Sequence, residues 1–230
     1  MTFFYKNAIN IFTDASTTNM DGKEISNSGF IAVYNGNIIN KDYKIFYDST
    51  NTYGELYAIN MGVEYALNIG RETDLFLNII SDSLISIKTI KKWIFEWKYS
   101  EKNPHILLNK QNCSATNQDL ILNIVSMILY SGIHINFYHI LGHKRPNNVS
   151  DILEVKLKFK KNNNLGITFP DDIIQEMISY NNEVDKYTRS WLHTIIKNNE
   201  FNHEDYQKFV FPCMWKPNPY DMKIYKELIS

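Results

Sequence analysis

Cysteine is almost missing from this chain. Cys113 and Cys213 stand far apart in no metal-ligand spacing, which excludes a disulfide framework and a cysteine metal site and makes a reducing compartment the default. No apolar run approaches the roughly 20 residues that a membrane span requires. The N-terminal "MTFFYKNAINIF" has too short an apolar run and the wrong flanks for a secretion signal, so no membrane partner and a cytoplasmic location are expected. An excess of either charge is missing too. With 24 basic and 25 acidic residues and a net charge of -1, no global field attracts a polyanion, and any nucleic-acid contact must be local. No internal repeat is apparent. What the chain does have is 44% hydrophobic and 14% aromatic content over 230 residues, enough for the core of one sizeable domain with additions.

"INIFTDAS" reads as a short strand ending on Asp14, with Ile9, Ile11 and Thr13 on one face and Phe12 with Asp14 on the other. A polar loop, "ASTTNMDGKEISNS", is expected next. Asn35-Gly36 then separates two β-rich runs, a strong hairpin signal. From Gly54 the period changes: Leu56, Ile59, Val63, Ala66 and Leu67 share a helical face, with Gly70 placed as the C-terminal cap. "LFLNIISDS" is a nearly unbroken apolar strand, expected to be covered on both faces, and it ends on Asp82. A helix capped by Ser83 carries Ile87, Ile90, Ile94 and Trp97 at helical spacing. "NQDLILNIVSMILYSG" predicts a third helix, "IHINFYHILGH" a strand, and "NNEVDKYTRSWLHTIIK" a closing helix opened by Asp185. The order is βββαβαβα, an α/β fold with a five-stranded mixed sheet flanked by helices. Residues 1–196 form the domain, with 145–180 as an insertion whose Pro170-Asp171-Asp172 suits a helix start. Residues 197–230, rich in aromatics, are expected to pack on the domain as an appendage.

Four acids occupy comparable places: Asp14 and Asp82 at strand ends, Glu55 and Asp185 near helix starts. Each alone suits a turn or cap. Together they lie where neighbouring strands of one sheet bring their ends, and that carboxyl end is where ligands bind. Clustered carboxylates repel unless a cation is present, and hard oxygen ligands in that number suit Mg²⁺ or Mn²⁺.

"IFTDAS", "NTYGELYAI", "IISDSLISIKTIKKWIFEW", "NQDLI", "FYHILGHK" and "NNEVDKYTR" occur in the order of the type 1 ribonuclease H catalytic domain. The chain resembles that family over residues 8–144 and 181–196. The resemblance implies a ribonuclease H-like fold and an endoribonuclease that hydrolyses the RNA strand of RNA/DNA hybrids, leaving 5'-phosphate and 3'-hydroxyl ends. It implies Asp14, Glu55, Asp82 and Asp185 as ligands of two Mg²⁺ ions, with Mn²⁺ as a substitute, and Asp14 bridging them. His143 is similar to the family's mobile histidine, which assists proton transfer or product departure. Thr50, Asn51 and Asn117 match residues that contact phosphate and base. Trp93 and Trp97, with Lys91, Lys92, Lys98 and Lys102, would form a basic aromatic handle for the DNA strand, one tryptophan packing and the other touching substrate.

The chain departs from the family at Thr52, Gly54 and Leu84, and most of all in the segment between Lys144 and Tyr180. That segment leaves Asp151, Asp171 and Asp172 as substitutes for Asp185, and its "VKLKFKK" could extend the substrate groove. Two other functions compete with the hybrid nuclease: a related DNA nuclease of resolvase or transposase type, and an inactive module that binds nucleic acid or protein. A monomer with a hybrid duplex as its partner is the expectation.

Overall fold

The computed structural model describes residues 7–20, 22–198 and 216–229. Its strands are β1 (Ala8–Met20), β2 (Lys23–Tyr34), β3 (Asn37–Tyr47), β4 (Phe76–Ser81), β5 (Lys98–Tyr99), β6 (Leu107–Leu108) and β7 (Asn136–His139). Its helices are α1 (Asn51–Gly70), α2 (Leu84–Lys91), α3 (Gln118–Ser131), α4 (Val149–Asn162), α5 (Asp171–Asn198) and α6 (Pro219–Leu228). The main sheet runs β3-β2-β1-β4-β7. β1, β2 and β3 are antiparallel neighbours, while β4 and β7 are parallel to β1. This is the mixed five-stranded sheet of the ribonuclease H-like fold. Among the described residues, the small β5/β6 ribbon is an addition to the expected order.

The pleat sorts the core into two layers. Ile9 and Ile11 of β1, with Phe30 and Ala32 of β2, face α1, α2, α3 and α6. Phe12, Ile31, Val33 and Ile80 face α4 and α5. The strand-face assignment of Ile9, Ile11 and Phe12 therefore stands. Within the sheet a buried asparagine ladder crosses three strands, with Asn136 donating to Asn78 and Asn78 to Asn10, each at 2.9 Å. Each amide satisfies a neighbour that would otherwise be buried without a partner, so the ladder helps to fix strand register.

Several boundaries differ from the sequence reading. Asp14 does not end β1. The supposed polar loop is a hairpin in which Asp14 pairs with Gly29 and Thr18 with Ile25, and Gly22 takes φ +80° at its turn. Asn35 and Gly36 form the other two-residue turn, both at positive φ. α1 starts at Asn51 under a Thr50 N-cap, so Glu55 lies beyond the first turn, and Arg71 takes the C-cap place expected of Gly70. The single helix expected over Ile87 to Trp97 breaks at Lys92, and a 3-10 turn follows over Trp93–Glu96.

The insertion holds a complete helix, α4, whose Ile152, Val155 and Phe159 are buried against the sheet. α5 starts at Asp171 as its acids suggest, but runs 28 residues, so Asp185 sits mid-helix instead of opening it. In the tail, 199–215 lie outside the described residues. α6 buries Tyr225 beneath α2 and α3, and the Leu228 carbonyl accepts from Ile135 N–H at 2.9 Å.

Candidate active site

β1 pairs with β2 along nearly its whole length but with β4 only as far as Thr13, which faces Ser81. Just beyond β4, the side of β1 is open. Asp14 stands there, and Asp82 follows the last residue of β4. Small residues bring Glu55 to the same place. Gly54 sits so close to β2 that a Cβ would collide with the Ser26 hydroxyl, and Ser28 Oγ donates to the Gly54 carbonyl at 2.8 Å. α5 crosses the other face. It rests on Gly29, where a Cβ would lie 2.8 Å from the Thr188 methyl, and Asn27 Nδ2 donates to the Thr188 carbonyl at 2.6 Å.

One carboxylate oxygen from each of Asp14, Glu55 and Asp82 lies within 4.8 Å of the others. Asp14 and Glu55 are buried, at 5% and 7% exposure. Burial first, then the charges of Asp82 and Asp185, push the Asp14 carboxyl well above the usual range. Burial and then Asp14 and Asp82 do the same to Glu55. Burial also raises Asp82, opposed by a hydrogen bond from Asn181 and by the nearby His143. The Ala15 amide donates to both Asp14 and Glu55, and Asn51 donates to Glu55 while accepting from Thr17 Oγ1 at 2.9 Å. Glu55 Oε2 remains buried without a hydrogen-bond partner. A buried carboxylate oxygen without a donor is costly. Three carboxylates that bring hard oxygens this close together fit a divalent cation.

A cavity of about 610 Å³ opens over this cluster and is also lined by Asn51, His143 and Asp185. Asp185 therefore joins the three acids in one cleft, with Arg189 one turn on holding its carboxylate at 2.6 Å. The substitutes lie elsewhere: Asp151 binds Arg145, Asp171 binds Lys156, and Asp172 accepts from the Ile173 amide. His143 takes a left-handed φ of 55° in an exposed position on the loop after β7. That loop is held by Asn182, which donates to the Lys144 carbonyl, and by Arg145 and Lys144 pairing with Asp151 and Glu154 of α4. Gly142 beside it leaves room for Asp82, since a Cβ there would collide with the Asp82 carboxylate.

The remaining candidates are dispersed. Thr50 caps α1 through Oγ1, which accepts from Tyr53 N–H at 3.2 Å. Asn117 begins α3 in a left-handed conformation. Trp93 and Trp97 both line a second cleft of about 400 Å³ with Thr52, Lys110 and Gln111, and Trp97 also packs on the core. Lys92 is exposed at the helix break. Lys91 does not join a handle: its Nζ donates to the Phe137 carbonyl at 3.0 Å, and burial lowers its pKa. Residues missed in the sequence are Asn181, Arg189 and Gly142. The first two lie four residues before and after Asp185, the spacing that places them on its face of the helix.

The family model described as RNase H matches residues 6–156. No curated protein matches the chain. Among solved structures, the chain is similar to a foamy viral protease-reverse transcriptase in complex with RNA/DNA hybrid, at 16% identity and TM-score 0.49, over 59% of this chain and 18% of that one. It is likewise similar to LC11-RNase H1 in complex with RNA/DNA hybrid, at 17% identity and TM-score 0.44, over 66% of this chain and 97% of that one. A third is RNase H1 from the halophilic archaeon Halobacterium salinarum, at 14% identity and TM-score 0.40, over 58% and 86%.

Proposed function

The chain belongs to the RNase H family, and from that membership we propose that it hydrolyses the RNA strand of RNA/DNA hybrids at the acidic cleft, with two Mg²⁺ ions and with 5'-phosphate and 3'-hydroxyl products. The observation that carries the reading is the convergence of the Asp14, Glu55 and Asp82 carboxylates, with Glu55 Oε2 buried and unpartnered, in a cavity that Asp185 and His143 also line. Asp14, Glu55, Asp82 and Asp185 would hold the cations; Mn²⁺ would be accepted by the same oxygens. When bound, such ions activate the attacking water and stabilise the leaving oxygen.

The chain's own groups do the rest. Asn51 and the Ala15 amide fix the direction of the Glu55 and Asp14 carboxylates, and Asn181 fixes Asp82. Asp14, whose carboxylate lies within 4.8 Å of those of both Glu55 and Asp82, would be the ligand shared by the two ions. His143, on the cavity's rim, suits proton delivery to the departing 3'-oxygen. Trp93 and Trp97 give the second cleft stacking surfaces, and Lys92, Thr50, Asn51 and Asn117 supply contacts to backbone and base. RNA would be selected by its 2'-hydroxyls, the group that separates it from DNA.

The test is incubation with end-labelled RNA/DNA hybrid, duplex DNA and duplex RNA in Mg²⁺. The reading expects cuts in the RNA strand of the hybrid alone, with ligatable 3'-hydroxyl ends. Cleavage of duplex DNA would overturn it in favour of a DNA nuclease. Binding of hybrid without any cleavage would overturn it in favour of a binding module.

A further inference from the structure

Asp82 is held from behind by a helix that lies outside the expected domain plan. β7 is the edge strand next to β4, and its last residue, His139, pairs with Ser81. An edge strand leaves main-chain groups open on its outer side. Here Asn163, just past the end of α4, closes that edge. Its Oδ1 accepts from the His139 amide at 2.7 Å, and its Nδ2 donates to the His139 carbonyl at 2.8 Å. The same Nδ2 also donates to the Phe159 carbonyl at 2.9 Å, tying the clasp to the helix.

The neighbouring Asn162 addresses the ring. Its Nδ2 lies 2.9 Å from His139 Nδ1, and the imidazole meets the main chain of Asp82, next to Ser81, whose carbonyl accepts from the Ile140 amide at 3.0 Å. An amide nitrogen can only donate, so Nδ1 accepts from Asn162 and the other ring nitrogen carries the proton. The ring is then a neutral bridge with one defined tautomer, as its 4% exposure favours. The pairing resembles the way a histidine on a metal is oriented through its second nitrogen, except that here the bridge grips the main chain of the ligand residue.

We infer that Asn162 and His139 are positioning residues for the metal site, setting the Asp82 backbone so that its carboxylate meets Asp14 and Glu55. The inference rests on the metal-dependent reading given above. It assigns α4 a purpose: the helix covers the sheet with Ile152, Val155 and Phe159, and its C-terminal end aims a ligand. Asn181 from α5 and the bare Gly142 constrain the carboxylate from the other side.

The test uses Mn²⁺ binding to the full chain without substrate, followed by electron paramagnetic resonance, beside the melting temperature in EDTA. His139→Phe keeps a ring and removes both hydrogen bonds, and it should weaken Mn²⁺ binding by about 10–100-fold. His139→Gln keeps a donor where the ring presents one and should restore affinity to within about threefold of wild type, with the same scale as reference. Asn162→Ala, a change at the surface, should lower affinity several-fold with little change in melting temperature. For hybrid cleavage, kcat should fall while KM holds. Wild-type Mn²⁺ affinity in both His139→Phe and Asn162→Ala would overturn the inference, as would equal loss in the Phe and Gln variants. A wild-type chain that binds no Mn²⁺ overturns it together with the metal site. Ordered affinities without hybrid cleavage would uphold the inference and overturn only the substrate reading.

Discussion

The two halves of the acidic cleft are built differently. Asp14, Glu55 and Asp82 come from the sheet and the helix seated on it, the first two buried and the third half-buried, and among the described residues none of them is in a salt bridge; burial first, and then neighbouring carboxylates, drive their pKa values up. Asp185 comes from the middle of α5, is partly exposed, and already has the Arg189 guanidinium at 2.6 Å. The first half stores repulsion that a bound ion would relieve. The second is electrostatically satisfied. On the proposed reading, the need for a cation is concentrated in Asp14, Glu55 and Asp82, and Asp185 would tune a site that it does not create.

The largest effect is expected from the first half. Asp14→Asn should lower hybrid cleavage at least ~10³-fold, on the order of 4 kcal/mol of transition-state stabilisation. Its metal-free melting temperature should rise, because a neutral amide no longer suffers the charges around it. Linkage gives the accompanying pH dependence. The raised carboxyls of Asp14, Glu55 and Asp82 hold protons in the fold that the unfolded chain releases near pH 4, roughly the model-peptide value. Their contribution to metal-free stability is therefore fullest below about pH 4 and is lost as pH rises through the raised folded values. Melting in EDTA across pH checks this, and Asp14→Asn should flatten the fall.

Next is Gly142→Ala. Its Cβ must displace the Asp82 carboxylate, and a displacement of about 1 Å costs about 100-fold in kcat. Asp185→Asn should cost less, about tenfold, because Arg189 has already neutralised that carboxylate. An Asp185→Asn enzyme as impaired as Asp14→Asn would erase the distinction between the two halves. The smallest effect on cleavage is expected at the seat of α5. Gly29→Ala forces the Thr188 methyl and the Asp42 carbonyl apart, which should cost about 1–3 kcal/mol of stability, read by chemical denaturation, with kcat changed least of all.

The same division explains what could be read in the sequence. The strand faces of Ile9, Ile11 and Phe12, the Asn35-Gly36 turn and the apolar stripe of α1 follow from local periodicity and turn chemistry, and they place Asp14, Glu55 and Asp82. The β1–β2 hairpin was hidden because its inward residues, Ser26 and Ser28, are small and polar. They are buried to let α1 approach, a tertiary demand that no local pattern announces. α4 carried a readable signal in Ile152, Val155 and Phe159, masked by the lysines between them. The start of α5 was legible in Pro170-Asp171-Asp172, but Asn181 and Asn182 interrupt its apolar stripe and imitate a cap. They are polar because Asn181 serves Asp82 and Asn182 serves the His143 loop. The inward turn of Lys91 depends on β7 lying beneath it, which spacing along α2 does not report.

The proposed function is that Asp14, Glu55 and Asp82, completed by Asp185, form a divalent-cation site that cuts RNA paired to DNA. Its most direct test follows the RNA strand of a labelled hybrid over a Mg²⁺ titration, with wild type and Asp14→Asn side by side. The account predicts cleavage by wild type that rises with Mg²⁺, stops in EDTA and is absent from the Asn variant at every concentration. Cleavage in EDTA, or an Asp14→Asn protein that cuts as wild type does, would contradict it.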